Sequence, residues 1–426
     1  MSASAPPPAS VSLSAAGRAR RWIQARLGLR VLVWAGLLAA SGATLCFLPL
    51  FNVLGFDFAL AIGLLAALAA VDIGQGAVAA ARRRGEAPGL ASALVTGTAG
   101  ALAVLAAPLL LALLNAFRVR NCNLGAGFAF YALLPVGTAL FAAPAGVLAG
   151  LAFPRRGRLV AYLIPFVSVG WSLWRLYFDP PVFVFDPFGG YFPGPIYDEA
   201  LRPPERLVHF RLVNLVWIAT AIACAAAWLR RRSPRRSWVL PGVVAVALLG
   251  ASVGLFRQRG ELGFHVDRNR LQEVLERETR SAHFVVHSDP SGDGTPEERA
   301  LVMQDLEFRF DQLVRILGVA PRLPISVYLF PSAAAKKDLV GAGGTLYAKP
   351  WTQEIFIQAE RFPARRLRHE LAHVFASAFG DPIFGVSLAW VSPRPGSRAA
   401  SSRASPRRPI TATPGAGPPS TRRPGP

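Results

Sequence analysis

The sequence predicts a multi-pass α-helical membrane bundle followed by an α+β extracytoplasmic domain. Hydrophobic residues make up 52% of the 426 positions and charged residues only 17%, a balance too apolar for a purely soluble chain of this length. Seven apolar runs of membrane-spanning length lie within residues 31–256. From residue 257 onward, strand-like and helix-like patterns alternate in a more polar sequence, which is typical of a folded domain outside the membrane.

Residues 1–30 precede the first apolar run. This stretch is rich in Ala, Ser and Pro and ends in a series of arginines, so we expect a disordered basic tail. The run that follows, 31–51, is about 20 residues long, which is enough to cross a bilayer and longer than the core of a cleaved signal peptide. It therefore predicts a first membrane anchor.

Six further apolar runs complete the predicted seven-span domain, 31–256. They cover 58–81, 90–117, 125–153, 159–178, 212–229 and 238–256. Between the fifth and sixth spans lies the outer loop 179–211, whose density of Pro, Gly and aromatic residues predicts an ordered, turn-rich segment. Such a loop either packs under the following domain or forms part of a binding groove.

Polar residues and small residues inside the spans call for separate explanations. Asp72 and Gln75 lie in the second span, and a carboxylate at membrane depth is a functional hypothesis by default. We favour the alternative that both side chains pair with arginines 82–84 or with a neighbouring helix. Gly146 and Gly150 form a G-x-x-x-G motif, which predicts close helix packing rather than a transport step.

The arginines are grouped at one end of the predicted spans. With the N-terminus in the cytoplasm, sixteen arginines lie at the inner ends and five in the outer loops. The positive-inside rule therefore selects this orientation, with everything after Arg257 outside the cytoplasm. The expected location is the inner (cytoplasmic) membrane, with membrane lipid as a partner. Because the arginines sit at span ends rather than on one soluble face, we expect no nucleic-acid partner despite the formal charge of +21.

The region after the spans is predicted to contain a linker helix within 257–281 and an α+β domain over 282–390. Thr295, followed by Pro and Glu298, has the pattern of a capped helix start, and an apolar stripe continues that helix. Strands are predicted at 283–287, 325–330, 345–348 and 354–358, and helices at 332–339 and 363–379.

The last predicted helix carries the motif His369-Glu370-Leu371-Ala372-His373. Residues four apart share one helix face, so both imidazoles can bind one metal ion while the carboxylate of Glu370 reaches a water on it. Zinc suits such histidine ligands and lowers the pKa of bound water to about 7. We therefore predict Zn²⁺ as the cofactor, His369 and His373 as metal ligands and Glu370 as the catalytic base. The alternative is a core helix whose histidines are satisfied by other protein groups.

The order of these elements resembles the N-terminal half of a gluzincin, the peptidase MA-like class of zinc metallopeptidases. The resemblance covers about residues 282–380, and the motif is its only specific element. It implies a zincin-like fold in which an edge strand, here 354–358, binds an extended peptide or protein substrate by strand addition above the metal helix. By the same resemblance His369 and His373 are zinc ligands and Glu370 is the base, while the third ligand is a Glu on a later helix.

That third ligand is missing from the sequence that follows the motif. Beyond His373 there is no Glu and no His, and Phe379 stands where a metzincin would have its third histidine. Asp381 is the only downstream carboxylate, and the Pro after it limits its reach. Residues 391–426 contain seven arginines and no acid, which predicts a disordered tail. The abrupt change of composition suggests a shifted reading frame.

Two functions follow from these patterns. The first is a membrane-anchored zinc-dependent peptidase that hydrolyses extracytoplasmic or membrane-proximal protein and is impaired here by loss of the third zinc ligand. The second is a non-catalytic membrane protein whose zincin-like outer domain binds peptide. The three cysteines, at positions 46, 122 and 224, lie far apart in the sequence, so any metal site depends on histidine and carboxylate.

The arginine asymmetry makes the topology testable. We expect a periplasmic-type reporter enzyme fused after Phe256 to be active and a cytoplasmic-type reporter at the same position to be inactive, because seven spans carry the chain to the side opposite the arginine clusters. The same pair of reporters fused after Arg84 should give the reverse result. A cytoplasmic-type reporter that is active after Phe256 would contradict the orientation.

Overall fold

The computed structural model describes most of the chain between residues 15 and 384. The described ranges are 15–83, 85–194, 202–232, 237–292, 294–322, 324–360, 366–381 and 383–384, with the side chains of 15–27 also left undescribed. The predicted tail 391–426 lies outside these ranges, as do residues 1–14 of the predicted N-terminal tail.

The membrane part is built from nine helices and one π-helical turn within the described ranges. The helices are α1 (Ala15–Leu45), α2 (Phe56–Arg83), α3 (Leu90–Val104), α4 (Ala106–Asn115), α5 (Leu124–Tyr131), α6 (Gly137–Ala152), α7 (Gly157–Phe178), α8 (Glu205–Arg231) and α9 (Val239–Arg257), and the π-turn Ala132–Val136 joins α5 to α6. Seven helical segments of this set are long and apolar enough to cross a membrane, which agrees with the predicted number.

The structure agrees with the predicted start of the first span, at Gly28 against residue 31, but differs in the segment before it. Helix α1 begins at Ala15, so the prediction of a disordered tail over 1–30 is wrong for residues 15–30. Arginines and apolar residues that favour a helix follow the Pro-rich start, and the helix kinks at Gly28, whose φ of 56° lies in the left-handed region. The third predicted span is likewise divided, into α3 and α4, at Leu105.

Close packing of small residues holds α2 at the centre of the bundle. A Cβ on Gly74 would overlap the carbonyl of Ala143 in α6, and one on Gly146 would overlap the carbonyl of Val71 in α2. The packing role predicted for the glycine motif is therefore confirmed at Gly146.

Asp72 pairs with neighbouring helices. Its carboxylate lies 3.2 Å from Arg30 in α1 and 3.4 Å from Arg158 in α7, and Trp34 donates a hydrogen bond to it. Gln75 accepts from Arg30 at 2.9 Å. The pairing alternative that we favoured is thus found, with Arg30 and Arg158 as the partners rather than arginines 82–84.

The first part of the outer loop is ordered, as predicted. It forms the hairpin β1 (Val184–Asp186) and β2 (Gly190–Phe192), and the carboxylate of Asp186 accepts the backbone N–H groups of Phe188 and Gly189 in the turn. Arg211 of α8 is buried beside this hairpin and donates to the carbonyl of Pro187 at 3.0 Å. Residues 195–201 of the loop lie outside the described ranges.

The rest of the described chain, residues 268–384, forms a sheet with helices on both faces, here called the α+β domain. Its helices are α10 (Arg268–Val274), α11 (Pro296–Leu317), α12 (Ala333–Val340) and α13 (Leu367–Ala376). Its strands are β3 (Arg277–Arg280), β4 (Phe284–Ser288), β5 (Ile325–Phe330), β6 (Tyr347–Lys349) and β7 (Glu354–Gln358), in the spatial order β3-β4-β5-β7-β6. The three central strands are parallel, and both edge strands pair antiparallel with their neighbours.

Alternation along the strands divides the core of the α+β domain into two layers. On one face, Val327 and Ile355 pack with α11 and α13. On the other face, Tyr328 and Phe356 stack with ring centroids 5.0 Å apart and pack with α10 and α12. The predicted cap of α11 is present, because Thr295 and Glu298 form a reciprocal capping box.

Two predictions about this domain are wrong. The linker helix predicted over 257–281 ends at Val274, and 277–280 form edge strand β3 instead, where alternating charged side chains suit an exposed edge. The strand 354–358, predicted as the peptide-binding edge, lies inside the sheet between β5 and β6. Strand β6 covers it, because the short turn between them folds β6 back onto β7.

The α+β domain is joined to the bundle at the carboxyl end of α7. Six successive backbone carbonyls, from residue 176 to residue 181, accept hydrogen bonds from its side chains. The donors are Lys349 to Leu176, Asp179 and Pro181; Trp351 to Tyr177; Arg268 to Phe178; and Tyr347 to Pro180. The last carbonyls of a helix have no hydrogen-bond donor within it. These contacts therefore supply donors to the end of α7 and also position the α+β domain.

We expect Lys349→Met to lower the stability of the assembled protein by about 1–3 kcal/mol, because it leaves buried carbonyls without a donor. The loss should appear as a lower melting temperature in detergent and as faster proteolysis around residues 257–268. The control is Lys337→Met, which changes an exposed lysine of α12. Equal melting and proteolysis of the two variants would contradict a docking role for Lys349.

Candidate metal centre

Helix α13 positions the predicted site residues by burying its opposite face. Leu367, Leu371 and Phe375 lie in the core against the sheet and α11, and the ring of Phe375 packs edge-on against Phe310 at 5.1 Å. Because these apolar residues recur with helical spacing, the histidines of the motif are turned away from the core. The sequence pattern alone accounts for this orientation.

His369 and His373 converge on one point outside the helix. Both are exposed, their Nε2 atoms are 3.1 Å apart, and their rings stand at 89° to each other. Two nitrogens bound to one tetrahedral zinc ion, each at about 2.0–2.1 Å, are about 3.3 Å apart. The spacing of the two donor atoms is therefore close to what a shared zinc ion requires.

The surroundings of His373 favour the neutral form of its ring. Burial lowers its pKa, and the neighbouring His369 lowers it further. A neutral imidazole has the free lone pair that a metal ion needs. The same geometry also allows one ring to donate an N–H hydrogen bond to the other, which is the protein-only arrangement of this pair.

Glu370 lies on the inner side of the motif. It is only 7% exposed, and burial raises the pKa of its carboxyl group, while the positive charges of His369, Lys336 and Arg366 act in the opposite direction. Lys336 is itself fully buried and donates to the carbonyl of Thr345 at 2.9 Å. Sequence reasoning missed Lys336 and Arg366, since nothing in the Ala-Ala-Lys-Lys pattern of α12 distinguishes a buried lysine from an exposed one.

A third protein ligand is not found in the part of the chain that the structure describes. No group of three or more His, Cys, Asp or Glu side chains in the described ranges could hold a metal ion. Asp381, the downstream candidate, accepts the backbone N–H groups of Ile383 and Phe384 through Oδ1 and so stabilises a turn. The donor set for zinc in the described ranges thus consists of two imidazoles.

The other buried titratable residues of the sheet lie on its opposite face. His287 stacks on Tyr328 with ring centroids 5.2 Å apart, and Glu354 pairs with Arg268 at 2.7 Å. Both belong to the layer of α10 and α12, because their strand positions alternate with the residues that contact α13. Neither can complete a site at His369 and His373.

The motif helix ends close to the membrane bundle. Gln353, in the turn before β7, donates to Ser377 just after α13 at 3.2 Å. Further on, the hydroxyl of Tyr177 at the end of α7 donates to the carbonyl of Ile383, and the ring of Phe384 lies 5.6 Å from that of Tyr177. The segment that follows the two histidines is therefore held against the last turn of a predicted membrane span.

Comparisons with known proteins identify no relative. No family model matches the chain, and no match is found among curated proteins or among solved structures.

Proposed function

We propose that this chain is a membrane-anchored protein with the zinc site of a peptidase, incomplete in its ligand set, and that its substrate is protein lying close to the membrane surface. The observation that carries the proposal is the convergence of the Nε2 atoms of His369 and His373 to 3.1 Å on an exposed helix face. The buried carboxylate of Glu370 between them in sequence supports the peptidase assignment over a purely structural metal site.

Three side chains of the motif would have separate roles in peptide hydrolysis. Zinc, when bound, would act as a Lewis acid toward a water or a peptide carbonyl. His369 and His373 would hold it through neutral imidazoles, and Glu370 would accept a proton as general base. The raised pKa of Glu370 suits this role because a base is most effective when its pKa lies near the working pH.

The ligand set limits this activity. A catalytic zinc normally has three protein ligands, and the described ranges provide two. We therefore expect weak zinc binding and little or no peptide hydrolysis by this chain.

A substrate near the membrane is favoured by the way the domain is docked. The segment after the motif helix contacts the carboxyl end of α7, where the Tyr177 hydroxyl donates to the carbonyl of Ile383. A site held at that level can reach the part of a substrate protein that emerges from the bilayer. Such a substrate is more accessible to it than a soluble protein far from the membrane. Together with the arginine asymmetry, this favours an extracytoplasmic site on the inner membrane.

The second candidate function is peptide binding without hydrolysis. It is favoured by the absence of a three-ligand group among the described residues. The edge strand β6 would then be the surface for an added peptide strand, since β7 is covered.

Metal titration of the full chain in lipid nanodiscs tests the proposal. We expect weak binding of one Zn²⁺ or Co²⁺ ion, with affinity lowered about tenfold or more in His369→Ala and in His373→Ala, because even loss of an outer partner of a metal ligand costs that much. The control His209→Ala removes an exposed histidine of α8 and should leave the affinity unchanged. Identical metal affinity in all three variants would contradict the site.

A peptidase assay on the same samples separates the two candidate functions. Zinc-dependent cleavage of an unfolded protein that disappears in Glu370→Gln would support the catalytic function. Peptide binding with no cleavage in either protein would support the second. Cleavage that survives Glu370→Gln would exclude Glu370 as the base.

A further inference from the structure

A cavity lies at the arginine-rich end of the bundle, far along the chain from the metal centre. It has two lobes, of about 150 and about 270 Å³, which share Ala77, Ala80 and Thr96. The smaller lobe is bounded by the start of α1, including Arg30, and by the end of α2, including Arg83. The cavity therefore lies where three predicted spans meet at one membrane surface.

The smaller lobe contains more positive charge than its acidic neighbours neutralise. Among the described residues, Arg30 contacts Asp72 and Gln75 through Nη1 and forms no hydrogen bond through Nε or Nη2. Its side chain is 30% exposed. Asp72 is shared with Arg158, and Arg83 makes no ion pair with any described residue. Glu86 lines the larger lobe, so the charged residues that line the two lobes are two arginines, Arg30 and Arg83, and one carboxylate.

Thr96 supplies a second and independent observation. This residue is 8% exposed and lines both lobes, and its hydroxyl has no hydrogen-bond partner among the described residues. A buried hydroxyl without a partner is unusual, and this one is open to a group that the described residues do not provide. In a cavity flanked by arginines, an acceptor with negative charge fits this position.

We propose that this cavity binds the phosphate of an anionic phospholipid. Arg30 and Arg83 would contact the phosphate oxygens, and Thr96 would donate its hydroxyl to one of them. A lipid is favoured over a soluble anion because apolar side chains of two spans, Val31 and Ile73, line the same lobe and offer a path for acyl chains. Leu29, beside them, is 77% exposed on the outer face of α1, so this face of the bundle is open to lipid.

The test measures lipid retained by the full-length protein after transfer from mixed bilayers into detergent, using native mass spectrometry. We expect phosphatidylglycerol to be retained in preference to phosphatidylcholine, and this preference to fall about fivefold in Arg83→Gln, the loss expected for one arginine contact with an anionic head group. Thr96→Val, which keeps the side-chain shape, should also lower it. The control Arg155→Gln removes an exposed arginine at the same end of the bundle that does not line the cavity, and it should retain the preference.

Melting temperature gives a readout that does not depend on retention. In phosphatidylcholine alone, Thr96→Val should melt at or above the wild-type temperature because it removes an unpaired buried hydroxyl. Phosphatidylglycerol should then raise the melting temperature of the wild type and of Arg155→Gln, but raise that of Thr96→Val and Arg83→Gln less.

Three results would overturn the proposal. The first is equal retention of the two lipids by the wild type, a comparison that requires no variant to fold. The second is an equal loss of preference in Arg155→Gln and Arg83→Gln, which would mean general surface charge. The third is displacement of the lipid by an excess of inorganic phosphate, which would identify a site for soluble phosphate.

Discussion

The carboxyl end of α7 is the point on which the arrangement of the two halves of the protein depends. The final carbonyls of a helix have no partners within it and carry the negative end of the helix dipole. Here the buried ammonium of Lys349 donates hydrogen bonds to the backbone carbonyls of Leu176, Asp179 and Pro181. Burial lowers the pKa of Lys349 to about 8. The cost of burying a charge is offset by these acceptors together with nearby Glu354 and Asp179. Because Lys349 ends β6, the sheet is oriented relative to the membrane by the same contact.

Because helix α13 packs on this sheet, the orientation of the sheet also sets the orientation of the candidate metal centre. One face of the helix is fixed in the core by Leu371 and Phe375, which leaves His369 and His373 on the opposite side. The segment after it contacts Tyr177 at the end of α7. The cavity lined by Arg30 and Arg83, by contrast, lies at the other end of the predicted spans. The protein thus has two distinct candidate sites, one proposed for zinc and one proposed for phosphate, joined by the same bundle.

Much of the fold could be predicted because its signals are local. Apolar length predicted the spans, the capping pattern at Thr295 predicted the start of α11, and β-branched runs predicted β5 and β7 at their observed bounds. The errors concern elements whose identity depends on a partner. Residues 277–280 are a strand because β4 lies beside them, and strand 354–358 is internal because β6 folds back onto it. The spacing of apolar residues within one segment does not show which other strand that segment will pair with.

The sequence by itself determined which residues share the motif face, since a spacing of four on a helix places His369 and His373 together whatever surrounds them. It also determined that the chain after His373 contains neither Glu nor His. Only the tertiary structure decided that the two Nε2 atoms approach to 3.1 Å, that Lys336 is buried within electrostatic reach of Glu370, and that His287 and Glu354 face away from the site. The physical reason is that helical spacing is a property of the local backbone, whereas burial and the face of a sheet depend on packing between segments far apart in sequence.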